Sequence, residues 1–332
     1  VTCPFCQEDI RGRERSGNKC GKCGKVYVFD PKTNPLGLHD LRVRRHVDKL
    51  RAGRGLRFTT SQLWLSLARK QVAEPTTPFA YFGCYLGLVV GAVIIAVSGW
   101  AAYVHAVPTA VASMVVVTLI VRRFVRPGAA RGRLVSVAML LDAFAEQLWG
   151  VWPRLHGGPV EGLVDDSRPA GHRLARPERV LLCPVNAATA CLVANGVPQR
   201  LNLHTAQRLD QVPPGLPVLI LRDASVVGQR FAARAVAALG PRAVDLGLTP
   251  AQARADRHLP RLKGAPVAPE TLGHLGLSEA DTAWLAEGWW VPLASVRPAK
   301  LIAAVEKSVA RTDPDHAAAA AVGFLTWPGS AR

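Results

Sequence analysis

Between Phe79 and Val121 the chain runs 43 residues without an Asp, Glu, Lys or Arg. A hydrocarbon core about 30 Å thick takes roughly 20 apolar residues of helix to cross. The run therefore predicts two membrane spans, residues 79–98 and roughly 102–121, joined by a tight turn. Ser98-Gly99-Trp100-Ala101 is the natural break, because glycine relaxes the helix and tryptophan suits the water interface. His105 and Pro108 then fall in the first turns of the second span. Residues 86–97 are apolar all round, unlike the one-sided stripe of a globular helix. This pattern predicts an integral membrane protein.

Elsewhere the apolar positions are periodic. Asp30-Pro31 through Asn34-Pro35 is turn chemistry, and a basic helix is predicted over 38–50. A second helix is predicted over 61–70, capped by Thr59 or Thr60, with Leu63, Trp64 and Leu67 on one face. These two helices fit either a helix-turn-helix or a helix lying in the inner headgroup layer. Leu134, Val137, Leu141, Phe144, Leu148 and Val151 recur at steps of three and four, which predicts a juxtamembrane amphipathic helix whose stripe serves as ordinary core.

From Arg179 the pattern alternates strand with helix. Strands are predicted at 180–185, 200–203, 217–222 and 243–247. Helices are predicted at 187–194 (ended by Asn195-Gly196) and 226–239, with a helical turn at 206–210. That order implies a parallel α/β sheet, whose ligands bind at the carboxyl ends of strands. Asn186 and Asp223 fall there. Helices at 277–286, with Ser278 near its start, and 298–310 follow, and Trp284, Trp289 and Trp290 are expected to bury against the sheet.

Charge reinforces the membrane expectation. The net charge is +17; residues 1–78 contribute +9, residues 122–133 +5, and everything beyond Arg133 only +3. The excess hugs both ends of the uncharged run, as the positive-inside bias requires, and a basic collar attracts anionic lipid headgroups. Both flanks are expected on the cytoplasmic side. No secretory leader is expected ahead of Val1-Thr2-Cys3, and the arginine- and alanine-rich composition fits a GC-rich bacterial genome.

Cys3-Pro4-Phe5-Cys6 and Cys20-Gly21-Lys22-Cys23 form two C-x2-C pairs separated by 13 residues. Such pairs can turn four thiolates onto one tetrahedral zinc, and four cysteines leave no open coordination position, so the site is structural. Gly21 and Gly24 allow the positive φ that such turns often need, and a strand is expected at 25–30. A ribbon of this size relies on metal for folding energy. This looks like a zinc ribbon. Arg11, Arg13, Arg15, Lys19, Lys22 and Lys25 decorate it, leaving nucleic acid as an alternative partner.

The C-terminal region, residues 179–310, resembles the Toprim domain of the topoisomerase VI catalytic subunit. The resemblance rests on Val185-Asn186 after the first strand, Asp223-Ala224-Ser225-Val226-Val227-Gly228 after the third, and Leu246-Gly247-Leu248-Thr249-Pro250. It implies a Glu at the first point for acid/base work and an Asp-x-Asp pair at the second for Mg²⁺. Here Val185 and Ser225 stand at the Glu and second Asp positions, and only Asp223 remains. Mg²⁺ is held through carboxylates with waters and substrate phosphates, so the resemblance implies a catalytically degenerate relative. Asp245, on the neighbouring predicted strand, is a carboxylate that could stand in. Asp223 can equally cap the helix beginning near Val226. Cys183 and Cys191 fall on apolar elements and read as buried packing.

The expected fold class is therefore a multidomain membrane protein with a small zinc ribbon, a two-helix transmembrane hairpin and a C-terminal α/β domain with a mainly parallel sheet. Its parts are a ribbon (1–33), a basic linker with juxtamembrane helices (34–78), two spans (79–121), an amphipathic helix (122–155), the α/β domain (156–312) and a low-complexity tail (313–332). The expected function is non-enzymatic: a two-pass protein of the bacterial inner (plasma) membrane, both termini cytoplasmic, presenting ribbon and α/β domain to a protein partner. A membrane-tethered Toprim-like nuclease or phosphotransfer enzyme using Asp223 and Asp245 is the second reading. Nucleic-acid binding through the ribbon and basic helices is the third, and a homo-oligomer fits any of them. The expected cofactor is one structural Zn²⁺ on Cys3, Cys6, Cys20 and Cys23.

Overall fold

The computed structural model describes residues 2–10, 15–16, 18–68 and 137–312. Strand β1 (Arg15–Ser16) pairs antiparallel with β2 (Lys19–Cys20) in the ribbon. Helix α1 (Asp40–Arg51) follows, with Val43, Val47 and Leu50 buried at helical spacing. Ala52, Gly53 and Gly55, all at positive φ, end it and turn the chain. Strand β3 (Phe58–Thr59) leads directly into α2 (Thr60–Leu67) through a capping box, in which Thr59 Oγ1 accepts from Gln62 N and Gln62 Oε1 from Thr59 N.

Beyond residue 136, α3 (Leu141–Glu146) runs through a π turn at Gln147–Val151 into α4 (Trp152–His156). Strand β4 (Leu163–Val164) then pairs in parallel with β3. Phe29, Leu38, Phe58, Leu63, Phe144 and Leu148 pack in one core, so the chain on both sides of residues 69–136 shares a single interior. Each large apolar side chain buried there contributes about 1.5–3 kcal/mol. Phe144 and Leu148, from the predicted stripe, lie fully inside it. Leu63, Leu65 and Leu67 of α2 are buried as well. That face is taken by protein, so α2 is not a headgroup-layer helix.

The second unit is a four-stranded parallel sheet. Its strands are β5 (Arg179–Leu182), β6 (Leu203–Ala206), β7 (Val218–Ile220) and β8 (Ala243–Asp245), in the order β6-β5-β7-β8. Helix α5 (Asn186–Ala194), the short α6 (Val197–Arg200) and α7 (Val226–Leu239) link them. Alternation sends Leu181 and Leu219 to one face, against Cys191 and Leu192 of α5 and Leu301 and Val305 of a C-terminal helix. Val180, Leu182, Val218 and Ile220 face Ala232, Ala235 and Leu239 of α7. Both faces are covered, which is why these strands read as unbroken apolar runs.

Helix α8 (Pro250–Ala255), the antiparallel pair β9 (Leu262–Lys263) and β10 (Trp289–Trp290), and α9 (Glu279–Ala286) form an appended layer. Ser278 caps α9. Trp289 is buried and Trp290 half-buried in this layer, where they build β10 rather than lying against the parallel sheet. The layer is stitched to the sheet by an antiparallel bridge between Ala224 and Val291. Helix α10 (Pro298–Thr312) closes the described chain. Gln62 Nε2 donates to Val296 O at 3.1 Å, and Arg57 N donates to Asn195 Oδ1 at 2.9 Å, tying the helical unit to the α/β unit.

The expectation of a two-pass membrane protein is corrected. Among the described residues no helix is long and apolar enough to cross a membrane. The longest regular α-helix among them, α10, has 15 residues, about 22 Å of rise against a hydrocarbon core of about 30 Å. Its apolar Leu301, Ile302, Val305 and Val309 pack on the sheet. The expected spans at 79–98 and 102–121 lie outside the described residues, as do the basic segment 122–133 and the tail 313–332. The transmembrane hairpin, the inner-membrane location with cytoplasmic termini, and the function built on them therefore do not stand. A charge-free run meets the length rule without specifying a helix that faces lipid.

Candidate metal centre

The two C-x2-C turns are built alike. Cys3 N donates to Glu8 O and Cys20 N to Lys25 O, each at 2.9 Å. Gln7 N returns to Cys3 O at 3.2 Å and Gly24 N to Cys20 O at 2.9 Å. The residue after each second cysteine has positive φ, 59° at Gln7 and 73° at Gly24. Glycine adopts that conformation without strain, whereas Gln7 holds it against the steric preference of an L-residue. Gly21, expected to share this role, is not among the positive-φ residues.

These matching turns converge four thiols. All four Sγ atoms of Cys3, Cys6, Cys20 and Cys23 lie within 4.8 Å of one another, and Cys3 Sγ is 3.8 Å from Cys23 Sγ. A tetrahedral zinc with bonds of about 2.3 Å has S···S edges of about 3.8 Å. Four soft donors at that spacing fit such an ion and leave it no open position. Phe5 N lies 3.5 Å from Cys3 Sγ, a donor suited to thiolate charge. The Cys20 thiol is drawn down to about 7, first by the Cys23 backbone and then, against the effect of burial, by that of Lys22. Burial is the main influence on Cys3 and pushes it up.

Around the centre, aromatic and charged groups lock the ribbon to the helices. Phe5, inside the first turn, stacks on His156 with ring centroids 5.1 Å apart and planes inclined by 16°. His156 Nε2 lies 2.8 Å from Asp40 Oδ2, while its Nδ1 lies 3.0 Å from Arg44 Nη2. Arginine can only donate, so Nδ1 accepts and the ring proton on Nε2 points at Asp40. The fully buried Asp40 also accepts from Val28 N at 3.1 Å and Phe29 N at 2.9 Å. On the open side, Lys25 Nζ sits 5.2 Å from the Phe5 ring centroid, and Lys22 pairs with Glu8 at 3.0 Å.

The α/β unit uses its named residues differently. Asn186 Oδ1 accepts from Ala170 N and Gln207 Nε2, and its Nδ2 donates to Asp166 O and Arg168 O, so a loop is laced over that strand end. Asp223 Oδ1 accepts from Leu293 N. Burial pushes the Asp223 carboxyl up, opposed by that N–H and by Arg222. Asp245 is held by the buried Arg222, with Oδ2 at 2.7 Å from Nη2 and 3.1 Å from Nε. The cap of α7 is Ser225, whose Oγ accepts from Gly228 N at 3.0 Å; Asp223 does not cap it. A Cβ on Gly228 would stand 2.4 Å from Asp223 O, so the helix start rests on the loop backbone. Burial lifts the Cys183 thiol to about 11 and that of Cys191 to about 12, leaving both inert.

Among the described residues, the cysteine quartet is the group of metal-ligating side chains that converges. No protein-family model matches the chain, and neither a curated protein nor a solved structure matches it significantly. The Toprim resemblance accordingly has no family match behind it. Sequence reasoning reaches the four cysteines but misses Asp40, His156 and Phe5. Asp40 carries only the signal of an acidic residue in a helix first turn, and nothing local pairs it with His156, 116 residues away.

Proposed function

We propose that Cys3, Cys6, Cys20 and Cys23 hold one structural Zn²⁺, and that the ribbon it folds forms, with the outer side of α1, a face that binds nucleic acid through its phosphates. One observation carries this reading: the contact chain from Lys25 through Phe5 and His156 to Arg44. It packs the zinc turn against α1, whose exposed side carries further basic residues. Lys19 and Lys25 are exposed on the ribbon, Arg44, Arg45 and Lys49 on α1, and Arg54 and Arg57 just beyond. The +9 of residues 1–78, no longer assigned to a membrane collar, suits another anionic partner. Phosphate backbones supply one, at a cost in salt sensitivity.

The zinc in this reading has no catalytic task, because four thiolates close its coordination. The α/β unit carries no phosphodiester chemistry in this reading, which the structural bonds of Asp223 and Asp245 support. Fluorescence anisotropy with labelled 20-nucleotide single and double strands, on full-length zinc-loaded protein, tests it. Affinity should fall linearly on a logarithmic salt axis and weaken in Arg45→Glu/Lys49→Glu. No binding at low salt, or binding indifferent to that charge reversal, would sink the nucleic-acid reading.

A further inference from the structure

Strand β6 is an edge of the parallel sheet, and residues 169–173 run along its open side. Thr205 N donates to His172 O at 3.0 Å, and His172 N donates to Thr205 Oγ1 at 2.5 Å. Between this segment and the turn after β6 lies a cleft of about 680 Å³, lined in part by His172, Arg173, His204, Gln207 and Asp210. That size lies within the range of small-molecule sites.

The polar groups of the cleft are unevenly committed. Gln207 Nε2 is used by Ala170 O and Asn186 Oδ1. The Asp210 carboxylate is gripped by Arg208 in two bonds, at 3.0 and 2.7 Å, which offsets its charge. Three nitrogen groups remain. His172 Nδ1 lies 3.2 Å from Gln199 Nε2 and accepts from it, which puts the ring proton on Nε2. That Nε2 is buried and has no partner among the described residues, an exception among buried polar atoms that calls for a reason. Arg173 is exposed, and its guanidinium makes no hydrogen bond among the described residues. His204 is disfavoured as a cation first by burial, then by Arg173 and His172, so the three groups share one electrostatic neighbourhood.

We propose that this cleft binds a small molecule through a phosphoryl group, with Arg173, His204 and His172 Nε2 as its donors. A phosphoryl group brings several acceptor oxygens and a double charge, enough to satisfy the arginine fork and two imidazoles together. A carboxylate brings only two oxygens and a single charge to the same donors. The site lies on the α/β unit, and its ligand is independent of what the ribbon binds.

Inorganic phosphate is the first probe, titrated calorimetrically into full-length protein while histidine protonation is followed by NMR. Saturable binding is expected, with the His204 pKa raised by about one unit or more as the dianion becomes its dominant neighbour. By linkage, affinity referred to the phosphate dianion then improves about tenfold as pH falls through the His204 transition. Arg173 and His172 act on His204, and Asp210, paired to Arg208, lines the same cleft. Arg173→Ala should weaken phosphate about tenfold or more, raise the His204 pKa in the free protein, and leave the urea midpoint unchanged. The proposal falls if phosphate does not saturate at millimolar concentration, if Arg173→Ala binds it equally well, or if acetate binds as tightly as phosphate.

Discussion

His156 Nε2 donates to Asp40 Oδ2 at 2.8 Å, joining the last residue of α4 to the first of α1. The same carboxylate receives the backbone N–H groups of Val28 and Phe29, where the chain leaves the ribbon. Ribbon exit, helix start and helix end therefore meet on one buried side chain. Asp40→Ala strips three donors of their acceptor at once. Removing one partner of a buried charged network typically costs about 3–5 kcal/mol. Urea unfolding should show a lowered midpoint with an unchanged slope, and a midpoint within error of wild type would refute this role.

Metal withdrawal should act locally first. The ribbon has a small core of its own, Cys3, Ile10, Cys20 and Tyr27, two of which are proposed ligands. Zinc contributes about 10–16 kcal/mol to comparable small sites. A strong chelator is expected to expose residues 3–27 to proteolysis and hydrogen exchange while β5, β7 and α7 stay protected. Mass spectrometry after alkylation should then find Cys3, Cys6, Cys20 and Cys23 labelled and Cys183 and Cys191 unlabelled.

Charge reversal on α1 should read out as a change in salt slope. Every phosphate that the protein ceases to neutralise lowers that slope by about one. Arg45→Glu/Lys49→Glu should therefore flatten the logarithmic salt dependence by about two, at equal zinc content and equal stability. An unaltered slope would place the phosphate-binding side chains elsewhere.

Asp223 carries a stability signature with a definite sign. Burial raises its folded pKa above the unfolded value, so the folded state holds the proton more tightly. Its stabilising contribution is complete below the ordinary carboxylate range and is lost as pH rises through the raised value. Asp223→Asn keeps an acceptor for Leu293 N and removes the buried charge. The variant should match wild type in acid and exceed it at neutral pH in urea unfolding. A variant less stable than wild type at neutral pH would count against the assignment.

The chain announces its local devices and hides its distant ones. Four cysteines at fixed spacing lie within one ribbon, so their convergence needs no tertiary information. Helix α7 is expected at 226–239 and found there. Its cap is ambiguous from the residues alone, since Asp223 and Ser225 are both good capping residues and the choice depends on where β7 releases the backbone. Strand β6 is expected too early, at 200–203, since Gly196 in the left-handed region starts a further turn of helix, Val197–Arg200, before the strand. The Asp40–His156 bond has no local trace. The membrane expectation fails for a different reason. Composition alone carries it, and the helices that the structure describes are short and packed on protein.

The parallel pairing of Phe58-Thr59 with Leu163-Val164 has a topological consequence. Trp64 Nε1 also donates to Met139 O at 2.9 Å, so the chain departs after α2 and returns beside its point of departure. Residues 68 and 137 therefore flank one shared core, and replacing residues 69–136 with a short flexible linker should preserve cooperative unfolding. The two halves of that core are held as neighbours by the fold, whatever length of chain is threaded between them.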